Sequence, residues 1–238
     1  MEKTTRYQSV FIVGAIAVLL FAFTVLIANP TPAEAAETGT YKGFQYQISK
    51  GKAIITDYIG NKKSISIPAK IKGKPVTYVT IFRGDSGDLD PGTTKFIHTH
   101  RLKSINLKKA KYLKGLDCTY NYLTKIDASK NKKLVYLDCT ANKVKKINVS
   151  KNTKLKRLDC SANKLKKLDV SKNKKLVELN CSGNRLKKLN VSKNKKLKRL
   201  YCHQNKIKHL DLSKNRKLRV RNSEYFSCDK GVKLTYIR

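Results

Sequence analysis

Residues 134–142 read Leu134-Val135-Tyr136-Leu137-Asp138-Cys139-Thr140-Ala141-Asn142, and Val144, Ile147, Val149 and Ser150-Lys151-Asn152 follow. Twenty-one residues on, the frame returns at Leu155, Leu158, Cys160, Asn163, Leu165, Leu168, Val170 and Ser171-Lys172-Asn173. Five cysteines, Cys118, Cys139, Cys160, Cys181 and Cys202, keep that spacing without a break. A fixed period of this length defines a solenoid, in which each repeat buries its apolar face only by stacking on its neighbours.

The unit L-x-x-L-x-C-x-x-N-x-L is a leucine-rich-repeat pattern with cysteine at the second inward strand position. The expected fold is a β-rich solenoid, a short curved array of 21-residue repeats with a parallel sheet on its concave face and a small antiparallel β cap at its N-terminus. Within a repeat the strand is expected over about Tyr136–Thr140. Alternation sends Leu137 and Cys139 inward and Tyr136, Asp138 and Thr140 out to the concave surface. Asn121, Asn142, Asn163, Asn184 and Asn205 form a ladder suited to bonding backbone groups of adjacent turns. Ile147 and Val149 make a second apolar pair, and Ser150-Lys151-Asn152 a return turn whose side chains bond their own backbone.

Four segments are expected. In residues 1–35, Lys3 and Arg6 precede an apolar run from Val10 to Ile27, a break at Asn29-Pro30 and Ala33-Glu34-Ala35, as in a secretory signal peptide. An uncleaved membrane anchor is the alternative, since the run approaches a bilayer span. Residues 36–91 form an N-terminal β module, where Phe44, Tyr46 and Ile48 and then Ser64-Ile65-Ser66-Ile67 alternate between turn clusters, as short antiparallel strands do. Gly84–Gly92 reads as a surface loop. Residues 92–221 hold the repeats, the first degenerate, with Ile97 in the cysteine position, and Leu218 opens one that fails at once. Residues 222–238 form a C-terminal cap.

The charge is extreme: 53 Lys plus Arg against 16 Asp plus Glu, a formal net charge of +37. For an exported chain this points to phosphate-rich wall polymers, sulfated glycans or acidic lipid, or else to a solubilising surface. Stacking aligns Lys145, Lys146, Lys166, Lys167, Lys187 and Lys188 into basic rows on the convex side, a match for a linear polyanion. No aromatics interleave with them, so specific nucleic-acid binding is not expected.

With Leu-Asp-Cys, Asn and Val-Ser-Lys-Asn in place, the repeats resemble the cysteine-ladder subclass of bacterial internalins. The lead-in from Phe44 through Ile65-Ser66-Ile67-Pro68 to Gly73-Lys74-Pro75-Val76 is similar to that of other bacterial leucine-rich surface proteins. The resemblance implies a secreted or cell-surface module that binds proteins in adhesion or host contact. No wall-sorting motif precedes Arg238, so retention at the surface by charge, or an N-terminal membrane anchor, is expected instead of covalent attachment.

The concave face supplies the candidate protein site: Tyr136, Asp138, Arg157, Asp159, Glu178, Asn180, Arg199, Tyr201 and His203. Its aromatic and arginine end carries the residue types that dominate binding hot spots. Asp117, Asp138 and Asp159 would stand about 5 Å apart and repel. Either a cation or basic group seats there, or neighbouring hydroxyls and lysines relieve them. The ladder cysteines are expected as buried free thiols, with Cys228 outside the frame. No catalytic motif, cofactor site or metal ligand set is recognised, and His98-x-His100 lacks the further ligands that structural zinc wants.

Overall fold

The computed structural model describes residues 36–81, 101–220 and 222–236. The signal segment, the Gly84–Gly92 loop, Ile97 and the two histidines at 98 and 100 lie outside them.

Each 21-residue repeat lays down one short parallel strand, because its inward leucine must stack on the leucine of the turn before. These strands are β8 (Gly115–Asp117), β10 (Tyr136–Asp138), β12 (Arg157–Asp159), β13 (Glu178–Asn180) and β14 (Arg199–Tyr201). They pair in strict register, Leu116 to Leu137 to Leu158 to Leu179 to Leu200. On the opposite wall, β9 (Lys125–Asp127) pairs with β11 (Lys146–Asn148) in parallel. Among the described residues there is no helix. The leucines, isoleucines, valines and ladder cysteines of all turns merge into one core.

The solenoid extends beyond the 21-residue frame at both ends. In the lead-in, β1 (Glu37–Tyr41), β2 (Phe44–Ser49) and β3 (Lys52–Tyr58) are antiparallel as expected. Antiparallel order stops there. β6 (Lys74–Thr80) pairs in parallel with both β3 and β8, and β4 (Ser64–Ser66) pairs in parallel with β7 (Ser104–Asn106). The one exception is β5 (Lys70–Ile71), which folds back on β6. With Val79 opposite Leu116 and Thr80 opposite Asp117, Ile81 takes the rung before Cys118. Asn121 confirms the register, since its Nδ2 donates to the Ile81 carbonyl as Asn142 donates to that of Cys118. Ile81, and not Ile97, therefore holds the cysteine position. The frame is lost because the chain from Ile81 to Leu102 is 16 residues longer than the matching stretch from Cys118 to Leu123 (21 against 5).

The C-terminal segment shows the same effect. β16 (Phe226–Ser227) pairs with β14, Leu200 to Phe226 and Tyr201 to Ser227, and β17 (Lys233–Thr235) pairs with β15 (His209–Asp211). One residue further along this register Cys228 stands beside Cys202, so it continues the ladder instead of lying outside it. The repeat opened by Leu218 thus resumes after an insertion. In all, eight turns stack, and at about 4.8 Å per rung they span about 34 Å.

Two asparagine ladders hold the turns. In the expected one, Asn163 Nδ2 donates to the carbonyls of Cys139, Cys160 and Ser161, and its Oδ1 accepts from Val144 N–H. The second ladder corrects the return-turn reading. Asn131, Asn152, Asn173, Asn194 and Asn215 are fully or almost fully buried and bond the preceding turn, not their own backbone. Asn152 Nδ2, for example, donates to the carbonyls of Ala128 and Asn131.

The bend after each strand requires a left-handed residue. Tyr120, Ala141, Ala162, Gly183 and Gln204 all have φ between 50° and 61°. Only one is glycine, so each of the others bears roughly 1 kcal/mol of local strain. Rung-to-rung bonds such as Ala162 N–H to the Ser182 carbonyl hold them there.

Candidate functional site

The parallel register sets two outward columns on the concave sheet. The first runs Tyr78, Gly115, Tyr136, Arg157, Glu178, Arg199. The second runs Thr80, Asp117, Asp138, Asp159, Asn180, Tyr201, Ser227.

In the first column opposite charges alternate. Arg157 Nε donates to Glu178 Oε2 at 2.8 Å, and Arg199 Nη1 bonds the other oxygen of the same carboxylate. Arg157 also lies 5.8 Å from the Tyr136 ring, and Arg199 lies 5.5 Å from that of Tyr225, which Arg219 shares. The result is a strip of ring, cation, anion, cation and ring with one net positive charge. Its arginines keep about two fifths of their side-chain surface exposed. Burial raises the Tyr136 phenol far above its ordinary range, so it remains a neutral donor, bonding Asp138.

Sequence reading missed Tyr78 and Tyr225 as members of this face. Tyr78 is 38% exposed and its ring lies across Gly115, where an added Cβ would come within 2.4 Å of a ring carbon. Gly115→Ala is expected to displace the ring and cost about 1–3 kcal/mol by overpacking, read from chemical denaturation. An unchanged midpoint would mean that Tyr78 does not occupy the notch. The Val79-Thr80-Ile81 alternation was the available signal for Tyr78, and the Phe226-x-Cys228 pair the signal for Tyr225.

The second column is less open than expected. Asp117, Asp138 and Asn180 are buried, and hydroxyls line them. Thr119 donates to Asp117 through Oγ1 and its backbone N–H, and Ser161 does the same to Asp159. Thr140 Oγ1 and Asn180 Nδ2 add further bonds to Asp159, each at 2.8 Å. Asp138, in the middle, accepts from Thr140 N–H and Tyr136 Oη. Burial, then the charges of Asp159 and Asp117, push its carboxyl well above the ordinary range. Burial likewise raises Asp117. Hydroxyl and amide donors, and the raised carboxyls of Asp117 and Asp138, relieve the repulsion in the stack. Asp138, Asp159 and Asn180 therefore brace the sheet, while Tyr136, Arg157, Glu178 and Arg199 face outward.

Tyr201 and His203 are partly exposed yet tied to the C-terminal turn. Tyr201 Oη donates to the Glu224 carbonyl, and His203 Nδ1 shares a 2.5 Å hydrogen bond with Ser227 Oγ. Burial lowers the His203 pKa, against an opposing pull from Asp229.

The six basic-row lysines, 145, 146, 166, 167, 187 and 188, all stand exposed on the opposite wall. Among the described residues none of them forms an ion pair. Flanking them is an alternating row that sequence reading passed over: Asp127, Asn148, Asp169, Asn190, Asp211. The amide of a following serine bonds each of these side chains. Alternating Asp with Asn doubles the spacing between like charges to about 10 Å. Serine hydrogen bonds and then neighbouring lysines hold the Asp127 and Asp169 carboxyls below the usual range.

The ladder cysteines are buried free thiols, each raised by burial, Cys202 to about 12. They are inert hydrophobic rungs. Among the described residues no cluster of three or more metal-ligating side chains occurs, and no helix is long and apolar enough to cross a membrane.

Eight stacked turns with a leucine-cysteine strand and an asparagine ladder define a leucine-rich-repeat β-solenoid of the cysteine-ladder type. No protein-family model matches the sequence, and no curated protein matches it. Solved structures do. The functional domain of InlJ from Listeria monocytogenes, which includes a cysteine ladder, is 28% identical over 68% of this chain and 41% of that one, with a TM-score of 0.44. Internalin InlF of the same organism is 22% identical over 60% of this chain and 39% of that one, with a TM-score of 0.46. The leucine-rich-repeat protein LIC12759 of Leptospira interrogans is 21% identical over 50% and 39%, with a TM-score of 0.43. The chain thus spans about two fifths of the length of these structures.

Proposed function

We propose that this chain is an exported, non-enzymatic binding module that recognises a protein partner through its concave face. The observation that carries this reading is the strip Tyr136, Arg157, Glu178, Arg199 and Tyr225. It is partly exposed, set on the parallel sheet with Tyr225 in the adjoining turn, and rich in the aromatic and arginine side chains that anchor interfaces. Its single carboxylate is already shared by two arginines. The strip therefore favours a partner that offers acidic side chains beside apolar ones. Export rests on the signal pattern of residues 1–35, with 36–91 and 222–238 closing the two ends of the repeat array. The net charge would help keep the protein at an anionic cell surface.

The test is site-specific photo-crosslinking of the full chain. A photoreactive residue at Arg157 or Arg199 should trap a defined protein from a panel of exposed surface proteins. The same residue at Lys166 should not. Adducts formed only from Lys166 would move recognition off the concave face.

A further inference from the structure

We infer that the wall opposite the concave sheet carries a second binding site, for a linear polyol-phosphate chain. This site is independent of protein recognition by the concave strip.

The site is a band built from four successive rungs. After each ladder asparagine the chain runs Lys143-Val144-Lys145-Lys146, Lys164-Leu165-Lys166-Lys167, Arg185-Leu186-Lys187-Lys188 and Lys206-Ile207-Lys208-His209. In every rung the second residue is buried in the core. That inward anchor forces the residues on either side of it outward, one pleat apart. Rung-to-rung bonds fix the alignment: Lys164 N–H donates to the Val144 carbonyl, Arg185 N–H to that of Leu165, and Lys206 N–H to that of Leu186. Eleven lysines and arginines therefore stand in three rows about 4.8 Å apart along the solenoid.

Three properties select the ligand. First, the sixteen residues of the band include no acid, so nothing within it neutralises the rows. Along each rung the nearest acids, Asp169 and Asp211, lie two residues beyond and only on alternate rungs, and at the last rung Asp229 accepts from the N–H groups of Gln204 and Asn205, before Lys206. Second, the cations are almost all lysine. A lysine ammonium on a flexible stem acts as a point charge toward phosphate and does not require the planar fork that arginine presents. Third, the band contains no Phe, Tyr or Trp; its one ring, His209, is hydrogen-bonded to Thr235 Oγ1, and the ring of Tyr122, on the preceding rung, already has Lys143 and Arg101 at 4.0 and 5.1 Å. A single-stranded nucleic acid presents flat bases that binding proteins meet with aromatic rings, and a glycan presents sugar rings with apolar faces on which aromatic rings can stack. A polyol-phosphate chain has neither and needs only a row of cations at each phosphate.

A second run of lysines, in the return turns, differs in one respect. Lys130, Lys172 and Lys214 each follow an aspartate by three residues, and Lys172 and Lys214 help hold Asp169 and Asp211 ionised. Their charge is already partly answered within the protein.

The experiment measures binding of the full chain to poly(glycerol phosphate) at stepped salt concentrations. Two charge-matched variants are compared with the parent, Lys145→Gln/Lys166→Gln/Lys187→Gln and Lys130→Gln/Lys172→Gln/Lys214→Gln. Thermal melting confirms that both remain folded. With about 0.7 counterions released per phosphate contact, the first variant should reduce the slope of log K against log salt by about 2. The second should reduce it by much less. Equal losses in the two variants would show that net charge alone binds, which overturns the band. Heparin or oligo(dT) competing more strongly than poly(glycerol phosphate) at equal charge concentration would overturn the ligand class. Release of the parent protein below physiological salt would overturn the site altogether.

Discussion

Asn163→Ala is expected to destabilise the protein by about 3–5 kcal/mol, the largest loss from any single truncation outside the leucine core. Asn163 makes four buried hydrogen bonds, three from Nδ2 and one to Oδ1, and they join two consecutive turns. Alanine orphans the buried Val144 N–H, and a buried group so orphaned costs about 1–3 kcal/mol. It also takes one of two donors from the Cys139, Cys160 and Ser161 carbonyls, which keep Asn142 Nδ2, Asn184 Nδ2 and Ala141 N–H. Each such lost bond is worth about 0.5–1.5 kcal/mol. A chain of this size loses about 2–4 °C of Tm per kcal/mol, so a fall of about 10 °C is expected. The corresponding change at the array's end, Asn205→Ala, should cost less, because Asn205 is only partly buried. Asn163→Ala and Asn205→Ala melting together, near the parent, would show that the ladder does not carry rung-to-rung cohesion.

Asp138→Asn should raise stability at neutral pH, with the gain growing as pH rises. The wild-type carboxyl sits well above its ordinary pKa through burial and two like-charged neighbours. Between the unfolded value near 3.9 and that raised folded value, the native state binds more protons than the unfolded chain. Wild-type stability from this group is therefore lost as pH rises through the window. Asparagine does not titrate. Asn180 already shows the replacement geometry, since its Nδ2 donates across one rung to Asp159 Oδ2 at 2.8 Å. An asparagine at 138 would donate in the same way toward Asp117. The Tm difference between variant and wild type should be near zero or negative at pH 3 and widen above pH 4. Comparing the two proteins at each pH removes the contribution of Asp127, Asp169 and Asp211, which both share. A difference that is flat with pH would mean that Asp138 ionises as freely in the fold as in the unfolded chain.

The same stack shows where sequence reading stopped. The period placed Asp117, Asp138 and Asp159 on adjacent rungs, and their register confirms it. It did not establish whether the column is open to a ligand. Burial, and the direction in which Thr119, Thr140 and Ser161 turn their hydroxyls, depend on how closely neighbouring rungs pack. Tyr201 and His203 illustrate the same limit. Their residue types suggested free recognition groups, but the turn that engages them lies 23 and 24 residues downstream, beyond an insertion.

What the amino-acid sequence determined by itself was everything that repeats: the parallel rungs, the inward leucines and cysteines, the first asparagine ladder and the basic rows. A constant 21-residue spacing leaves the chain one way to bury each apolar pair, so covalent periodicity and spatial register coincide. Only the tertiary structure decided what does not repeat at that spacing. It admitted Ile81, Phe226 and Cys228 to the ladder, joined β6 to the parallel sheet, and turned the second asparagines toward the previous turn. Hydrogen bonds between rungs depend on which residues lie side by side in space. An insertion changes the count along the chain without changing that, so the register persists where the sequence period is lost.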